Sequence, residues 1–300
     1  MHEVVGDPLA MRERVLEARS AGRRVGFVPT MGALHAGHAS LVDRAARECD
    51  AVAVSIFVNP TQFGPGEDFT RYPRTFAADA ELLASHGVSW IYAPPAEAVY
   101  PPGHATRVAV GGPAVRFEGR LRPGHFDGVA TVVCQLFLAV PADAAYFGAK
   151  DWQQTRVVKR MVEDLGLPVE VVVCPTVREA DGLALSSRNA YLSSDERRRA
   201  VALSASLEEA ARLWSAGSAV ADIERAMRRT LEDAGVAVDY AAVVDAESLE
   251  PPAASGLPVV ALVAGRLGTT RLIDNRQLAP RADAGPQTGG GAANRRPDDT

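Results

Sequence analysis

The chain has 300 residues, 47% of them hydrophobic and 23% charged, a composition typical of globular proteins. Its formal net charge of −5 excludes a strongly basic surface, so nucleic acid is not an expected partner. With three scattered cysteines, no signal peptide and no apolar run near the roughly 20 residues of a membrane span, we expect a cytoplasmic protein away from the membrane.

Segments typical of strands and of helices alternate through the first half of the chain. The strands are predicted at Arg24–Val28, Ala51–Phe57, Ser89–Ala93, Ala144–Phe147 and Val169–Cys174. The helices are predicted at Gly37–Glu48, Thr75–Ser85, Gly128–Val140 and Asp151–Leu165. Strands that read as continuous apolar runs between helices indicate a parallel sheet covered on both faces. We therefore predict an α/β fold with a Rossmann-like parallel sheet and helices on both faces.

The pattern changes after about Val177. Two long helices are predicted first and three strands follow, at Ser194–Trp214, Ala219–Ala234, Ala237–Val244, Pro258–Val263 and Thr270–Ile273. Helices followed by strands indicate a smaller α+β domain. We predict a first domain over residues 1–176, a smaller C-terminal domain over 177–280, and a disordered tail over 281–300, where Gly, Pro, Asn and charged residues replace large apolar ones.

The most informative motif is His35-Ala-Gly-His38, which follows the first predicted strand and opens a helix. Two imidazoles three residues apart at a helix start lie on one face. Gly37 allows a ligand to approach the backbone, and the free N–H groups of the helix attract anions. The motif predicts a polyanion site, best matched by a nucleoside triphosphate, although a histidine-rich helix cap remains an alternative.

Other polar segments follow later strands or precede helices. They are Asn59–Gln62, the basic loop Gly119–Gly128, Lys150 with Gln154 one turn further on, and the hydroxyl-rich segment Ser186–Arg188. Ligands of parallel sheets bind beyond the carboxyl ends of the strands, so we expect these segments to converge. Each also has a structural alternative: a strand exit, a solvated loop, a helix cap by Asp151, or a linker between domains.

In combination and order, these segments resemble the pantothenate synthetase (pantoate–β-alanine ligase) family. The matching segments are Val28–His38, Ser55–Phe63, Arg71–Thr75, Arg122–Phe126, Phe147–Gln154, Pro175–Arg178, Ala180–Tyr191 and Leu267–Asn275. His-x-Gly-His and Ser-Ser-Arg alone would indicate only the wider superfamily of nucleotidyltransferases and class I aminoacyl-tRNA synthetases. Asn-Pro-x-Gln-Phe and Arg-Pro-Gly-His-Phe make the resemblance specific.

The resemblance implies that ATP and (R)-pantoate form pantoyl adenylate and pyrophosphate, with Mg²⁺, and that β-alanine then yields pantothenate and AMP. It implies catalytic roles for His35, His38, Lys150, Ser186, Ser187 and Arg188. It implies an ATP site that contains these residues and Met31, Gly37, Phe147, Gly148, Asp151 and Val177. It implies a pantoate site formed by Pro29, Thr30, Met31, Gln62, Arg122 and Gln154.

Two residues depart from the family pattern, since Thr61 stands where Met is usual and Ala149 where Glu is usual. Protein ligands of Mg²⁺ are not identified; Asp79 is the candidate, and we expect the ion to arrive on ATP. The family also implies a homodimer. The alternative functions are a related nucleotidyltransferase acting on another small acid or phosphate, an RNA-linked synthetase, which the acidic charge disfavours, and a nucleotide-binding regulatory module.

Overall fold

The computed structural model describes residues 2–64, 67–252 and 257–280. Its strands are β1 (Glu3–Val5), β2 (Val25–Thr30), β3 (Ala51–Ile56), β4 (Trp90–Tyr92), β5 (Ala144–Gly148), β6 (Glu170–Cys174), β7 (Ala237–Asp245), β8 (Val259–Leu267) and β9 (Thr270–Leu278). Its helices are α1 (Pro8–Ser20), α2 (Ala36–Glu48), α3 (Phe76–Ser85), α4 (Ala96–Val99), α5 (Glu118–Leu121), α6 (His125–Ala139), α7 (Trp152–Leu165), α8 (Ser194–Ala200), α9 (Ala202–Ser215) and α10 (Val220–Asp233).

Strands β1 to β6 form one parallel sheet in the order β1-β4-β3-β2-β5-β6. Successive side chains of its central strands point alternately into the two apolar cores, one on each face of the sheet. Phe27 packs with α1, α6 and α7 on one face, whereas Val28 packs with α2 and α3 on the other. Because both faces are buried, the strands carry continuous apolar runs. The predicted parallel sheet with helices on both faces is confirmed.

Strands β7, β8 and β9 form a separate antiparallel sheet. One face packs on α9 and α10 through residues such as Val263. The other face, with Val260 and Leu262, packs on Phe117 and Trp152 of the first part of the chain. The small α+β unit is therefore confirmed as an architecture, while its predicted boundaries stay predictions.

Several element boundaries differ from the prediction. The segment predicted as one helix over Ser194–Trp214 is two helices, because the backbone turns at Val201 between α8 and α9. Helix α6 begins at His125, one turn before the predicted start, since Gly124 adopts a left-handed conformation and ends the preceding loop. Strand β1 and helix α1, which we did not predict, lie at the start of the chain.

The structure bears on the membrane prediction but not on the prediction of a disordered tail. Within the described ranges, no helix is long and apolar enough to cross a bilayer. The predicted tail over residues 281–300 lies outside the described residues.

Candidate active site

A cleft of about 220 Å³ lies beyond the carboxyl ends of β2 and β5. It is lined by most of the residues that the sequence assigned to a site. These are Pro29, Thr30, Met31, His35, Gly37, His38, Gln62, Phe147, Gly148, Lys150, Asp151, Gln154, Val177, Ser186 and Arg188. The parallel sheet brings them together because its strands end at one edge.

His35 and His38 form a capping pair at the start of α2. The Gly37 N–H donates to His35 Nδ1 at 3.1 Å, and the His35 N–H donates to His38 Nδ1 at 3.4 Å. The ring centroids lie 4.2 Å apart. At the level of sequence, a helix cap and a polyanion site were alternatives. In the structure, the same two side chains that cap the helix also line the cleft.

Burial favours the neutral form of both imidazoles. Burial, with a contribution from Lys150, lowers the pKa of His35. Burial and the neighbouring His35 lower the pKa of His38 to about 3. Since each Nδ1 accepts a backbone N–H, each neutral ring carries its proton on Nε2. The pair can therefore donate two hydrogen bonds to an anion without being charged.

Gly37 is required by the packing of the His35 ring. A Cβ atom added at Gly37 would lie 2.8 Å from Cε1 and 2.9 Å from Nδ1 of His35. Both distances are too short for a real contact, so any larger residue would move the ring. The glycine of the motif therefore fixes a side chain in addition to exposing the backbone.

Asp79, the candidate metal ligand, instead fixes the loop before α2. Its carboxylate is buried and accepts the N–H groups of Ala33 at 3.0 Å and Leu34 at 2.8 Å. The Thr75 hydroxyl donates to the same carboxylate at 3.2 Å. Ala33 has a φ of 51°, a strained conformation for a residue with a Cβ. Asp79 therefore holds this loop in place, and its hydrogen bonds argue against a metal at this carboxylate.

The buried Asn59 orients the amide of Gln62. Asn59 Nδ2 donates to Gln62 Oε1 at 2.9 Å and to the Gly128 carbonyl at 3.1 Å. Its own oxygen accepts the Tyr100 hydroxyl at 2.8 Å. Because the Gln62 oxygen is engaged, its NH₂ group is the part free to donate. The sequence placed Asn59 in a polar segment after a strand but did not reveal this contact.

Lys150 and Asp151 lie on a 3₁₀ turn between β5 and α7. The turn is held from the C-terminal sheet, since Asn275 Nδ2 donates to the carbonyls of Ala149 at 2.8 Å and Lys150 at 2.7 Å. Asp151 occupies the position before α7, but its side chain makes no capping hydrogen bond, which counts against the structural alternative of a helix cap. Its carboxylate is available to the cleft instead.

Ser186, Ser187 and Arg188 point to different partners. Ser186 and Arg188 line the cleft, whereas the side chain of Ser187 forms a hydrogen bond with the Tyr72 side chain. The segment follows β6 by twelve residues rather than directly, because the stretch after Cys174 first forms a bridge between Arg178 and Ala184. Only two of the three predicted side chains therefore face the ligand space.

Arg122 lies outside this cleft. It borders a neighbouring cavity of about 1070 Å³ and another of about 330 Å³. Its guanidinium donates to both carboxylate oxygens of Glu67, at 2.8 and 2.7 Å, and to Nε2 of His125 at 3.0 Å. Nη2 of Arg122 also donates to the Gln62 carbonyl at 3.3 Å. Arg122 therefore contacts the backbone of one residue predicted to bind the acid, although it does not line the main cleft.

Sequence reasoning missed the apolar wall of the cleft. One face of α6 supplies Val129, Val132, Val133 and Leu136. Their spacing of three and four residues was a readable signal, because such residues share one helix face. The sequence predicted a helix in this segment but did not show that part of its apolar face lines the ligand space.

A family model described as pantoate-beta-alanine ligase matches residues 3–277. The pantothenate synthetase of Paracoccus denitrificans is 51% identical over 277 residues, which cover 92% of this chain and 98% of the relative. That of Thermus thermophilus is 52% identical over 270 residues, covering 89% and 98% of the two chains.

Solved structures agree with these matches. The chain resembles the crystal structure of pantothenate synthetase from Thermus thermophilus with a TM-score of 0.87 and 49% identity, over 93% of this chain and 100% of the other. It resembles pantoate-beta-alanine ligase from Francisella tularensis, solved with beta-gamma ATP and beta-alanine, with a TM-score of 0.77 and 32% identity over 92% and 98%. The chain therefore belongs to the pantoate–β-alanine ligase family.

Proposed function

We propose that this ligase joins (R)-pantoate to β-alanine through an enzyme-bound pantoyl adenylate, releasing pyrophosphate and AMP. The observation that carries the proposal is the cleft itself. Two neutral histidine donors, a lysine and an arginine meet two glutamines and an apolar wall there. Such a site offers hydrogen bonds and positive charge to a polyphosphate beside a pocket for a small, partly apolar acid.

In the first step, a carboxylate oxygen of pantoate attacks the α-phosphorus of ATP. The bond between that phosphorus and the bridging oxygen breaks, and pyrophosphate leaves. Because nucleophile and phosphate are both anionic, the protein contributes mainly positioning and electrostatic stabilisation. We assign the Nε2–H donors of His35 and His38 to the phosphates at the start of α2, and Lys150, Ser186 and Arg188 to the departing pyrophosphate.

The remaining lining suits pantoate. The NH₂ group of Gln62, turned outward by Asn59, can donate to its carboxylate or a hydroxyl. Gln154 adds a second neutral amide, so neither residue repels or traps the nucleophile by charge. Val129 and Val132 offer an apolar surface for the two methyl groups of the acid.

In this proposal magnesium binds as part of the MgATP substrate. No cluster of three or more His, Cys, Asp or Glu side chains suited to a metal occurs in the described part of the chain. Asp79 is engaged by backbone N–H groups. Mg²⁺ commonly keeps water and phosphate oxygens as its ligands, which fits delivery on ATP.

In the second step, the neutral amine of β-alanine attacks the acyl carbon of the adenylate. A C–N bond forms, the C–O bond to AMP breaks, and the amine proton passes to solvent. Because AMP leaves only in this step, its release depends on β-alanine. A nucleotidyltransferase of the same superfamily would instead keep the nucleotide on its product.

Isotope exchange between pyrophosphate and ATP tests the proposal. Purified protein with MgATP should exchange labelled pyrophosphate only when pantoate is present. Adding β-alanine should then yield free AMP and pantothenate in equal amounts. Lys150→Ala should lower the exchange rate by on the order of 10²-fold, as does the loss of a charge-stabilising group, whereas Lys159→Ala, at a lysine of α7 that does not line the cleft, should not. Exchange without pantoate, or none with it, would contradict the proposal.

A further inference from the structure

Two consecutive carboxylates hold two arginines that the sequence predicted to bind substrate anions. Asp68 accepts from Nε and Nη2 of Arg188, both at 3.1 Å. Glu67 accepts from Nε and Nη2 of Arg122 at 2.8 and 2.7 Å. Both contacts are two-point pairs, the geometry by which a guanidinium also binds a phosphate.

The Asp68 carboxylate lies at the border of the proposed polyphosphate site. It lines a cavity of about 330 Å³ that shares Lys150, Ser186 and Arg188 with the main cleft. The same cavity also contains the side chains of Arg71 and Arg266. An anion arriving at Lys150 and Ser186 would therefore meet Asp68 already bonded to Arg188.

The guanidinium of Arg188 cannot give its Nε–Nη2 edge to Asp68 and to a phosphate at the same time. The Asp68 side chain is 13% exposed and that of Arg188 is 32% exposed, so water still reaches the pair. Water that reaches an ion pair weakens the attraction between its charges. A polyphosphate, which carries more charge and also reaches Lys150, should replace the carboxylate.

We propose that Asp68 is a positioning residue that occupies Arg188 until a polyphosphate displaces it, and that it thereby weakens the hold of the site on ATP and pyrophosphate. The inference rests on the proposed function, in which Arg188 meets the departing pyrophosphate. When pyrophosphate leaves, Asp68 takes back the guanidinium and so assists release. Asp68 acts through Arg188 and need not touch the substrate.

Calorimetric titration with inorganic pyrophosphate tests the inference on the full-length protein. Asp68→Asn keeps the size of the side chain but removes its charge, so the Kd for pyrophosphate should fall by about threefold or more, the scale of a partly hydrated ion pair. The KM for ATP should fall in parallel, while kcat does not rise. Asp68→Glu should retain the wild-type Kd. Asp68→Ser gives a second uncharged variant if the amide disturbs the fold.

Two comparisons make the result specific. Asp195→Asn, which removes an exposed carboxylate from the start of α8, should leave the Kd unchanged. In an Arg188→Ala background, Asp68→Asn should no longer tighten binding, because the arginine on which it acts is gone.

An unchanged or higher Kd in Asp68→Asn, with the wild-type protein active in exchange, would overturn this inference alone. It would mean that Asp68 supports Arg188 rather than competes for it. A wild-type protein that binds pyrophosphate yet shows no pantoate-dependent exchange would contradict the proposed function instead. A wild-type protein that does not bind pyrophosphate would overturn both.

Discussion

Replacing Glu118 by Ala should destabilise the protein strongly, because this carboxylate joins α5 to the C-terminal sheet. Glu118 is 5% exposed and accepts from Arg271 at 2.6 and 2.7 Å and from the Tyr240 hydroxyl at 2.8 Å. Its removal leaves the partly buried guanidinium of Arg271 and the partly buried hydroxyl of Tyr240 without this partner. Loss of one member of a buried ion pair costs about 3–5 kcal/mol. Asp239 still accepts from Arg271 at 2.6 Å, so we expect the lower end, about 3 kcal/mol.

Urea unfolding followed by circular dichroism measures this free energy. The matched control is Glu209→Ala, since Glu209 also makes a two-point pair, with Arg212 at 2.8 and 2.7 Å, but on the solvent side of α9. It should change stability little, because exposed pairs contribute little. Equal losses in the two variants would refute the argument that burial makes the Glu118 contact important.

The same pair predicts a pH dependence. Burial alone would raise the pKa of the Glu118 carboxyl, but hydrogen bonds and charge from Arg271 outweigh it and hold the pKa below the ordinary 4.5. The stabilisation is therefore complete above pH 4.5 and is lost as pH falls through the lowered value. The stability difference between wild type and Glu118→Ala should shrink in that acidic range, and a difference that persists unchanged would contradict this sign.

Three further predictions concern the cleft. Gly37→Ala should push the His35 ring aside, since the new Cβ would lie 2.8 Å from the ring. Pantoate-dependent exchange should then fall by on the order of 10²-fold, while the melting temperature stays unchanged. Exchange at the wild-type rate would count against the role assigned to His35. Asn59→Ala should free the Gln62 amide to rotate and raise the KM for pantoate more than that for ATP, and equal changes in both would argue against this orienting contact. Burial and His35 lower the pKa of His38 to about 3, so the pH profile of exchange should show no ionisation of His38 near neutral pH. A break near the ordinary value of 6.5, absent in His38→Asn, would show instead that the ring titrates normally.

The sheet and much of the cleft could be predicted because the signals are local. Runs such as Ala51–Ile56 predict a strand buried on both faces, and a parallel sheet then places whatever follows each strand at one edge. His35, Lys150 and Gln62 were found in this way. The break between α8 and α9 at Val201 carries no Gly or Pro, so no local signal marks it.

What could not be predicted depends on contacts between distant parts of the chain. Arg188 and Asp68 are 120 residues apart, and Arg122 and Glu67 are 55 apart. A guanidinium in a basic loop is equally suited to a substrate carboxylate or to an internal one. Composition could not tell which, and the structure gives Arg122 a glutamate partner outside the main cleft. The contacts of Asp79 could not be predicted for the same reason, because only the fold brings it to Ala33 and Leu34.

In the proposed reaction, the carboxylate of pantoate attacks the α-phosphorus of ATP in the cleft built around His35, His38 and Lys150. Pantoate labelled with ¹⁸O in its carboxylate tests this directly. When the complete reaction is run with β-alanine and the nucleotide product is analysed by mass spectrometry, each AMP should carry one ¹⁸O atom, transferred from the acid when the adenylate breaks down. AMP without ¹⁸O, or ADP as the product with the label in inorganic phosphate, would contradict the account.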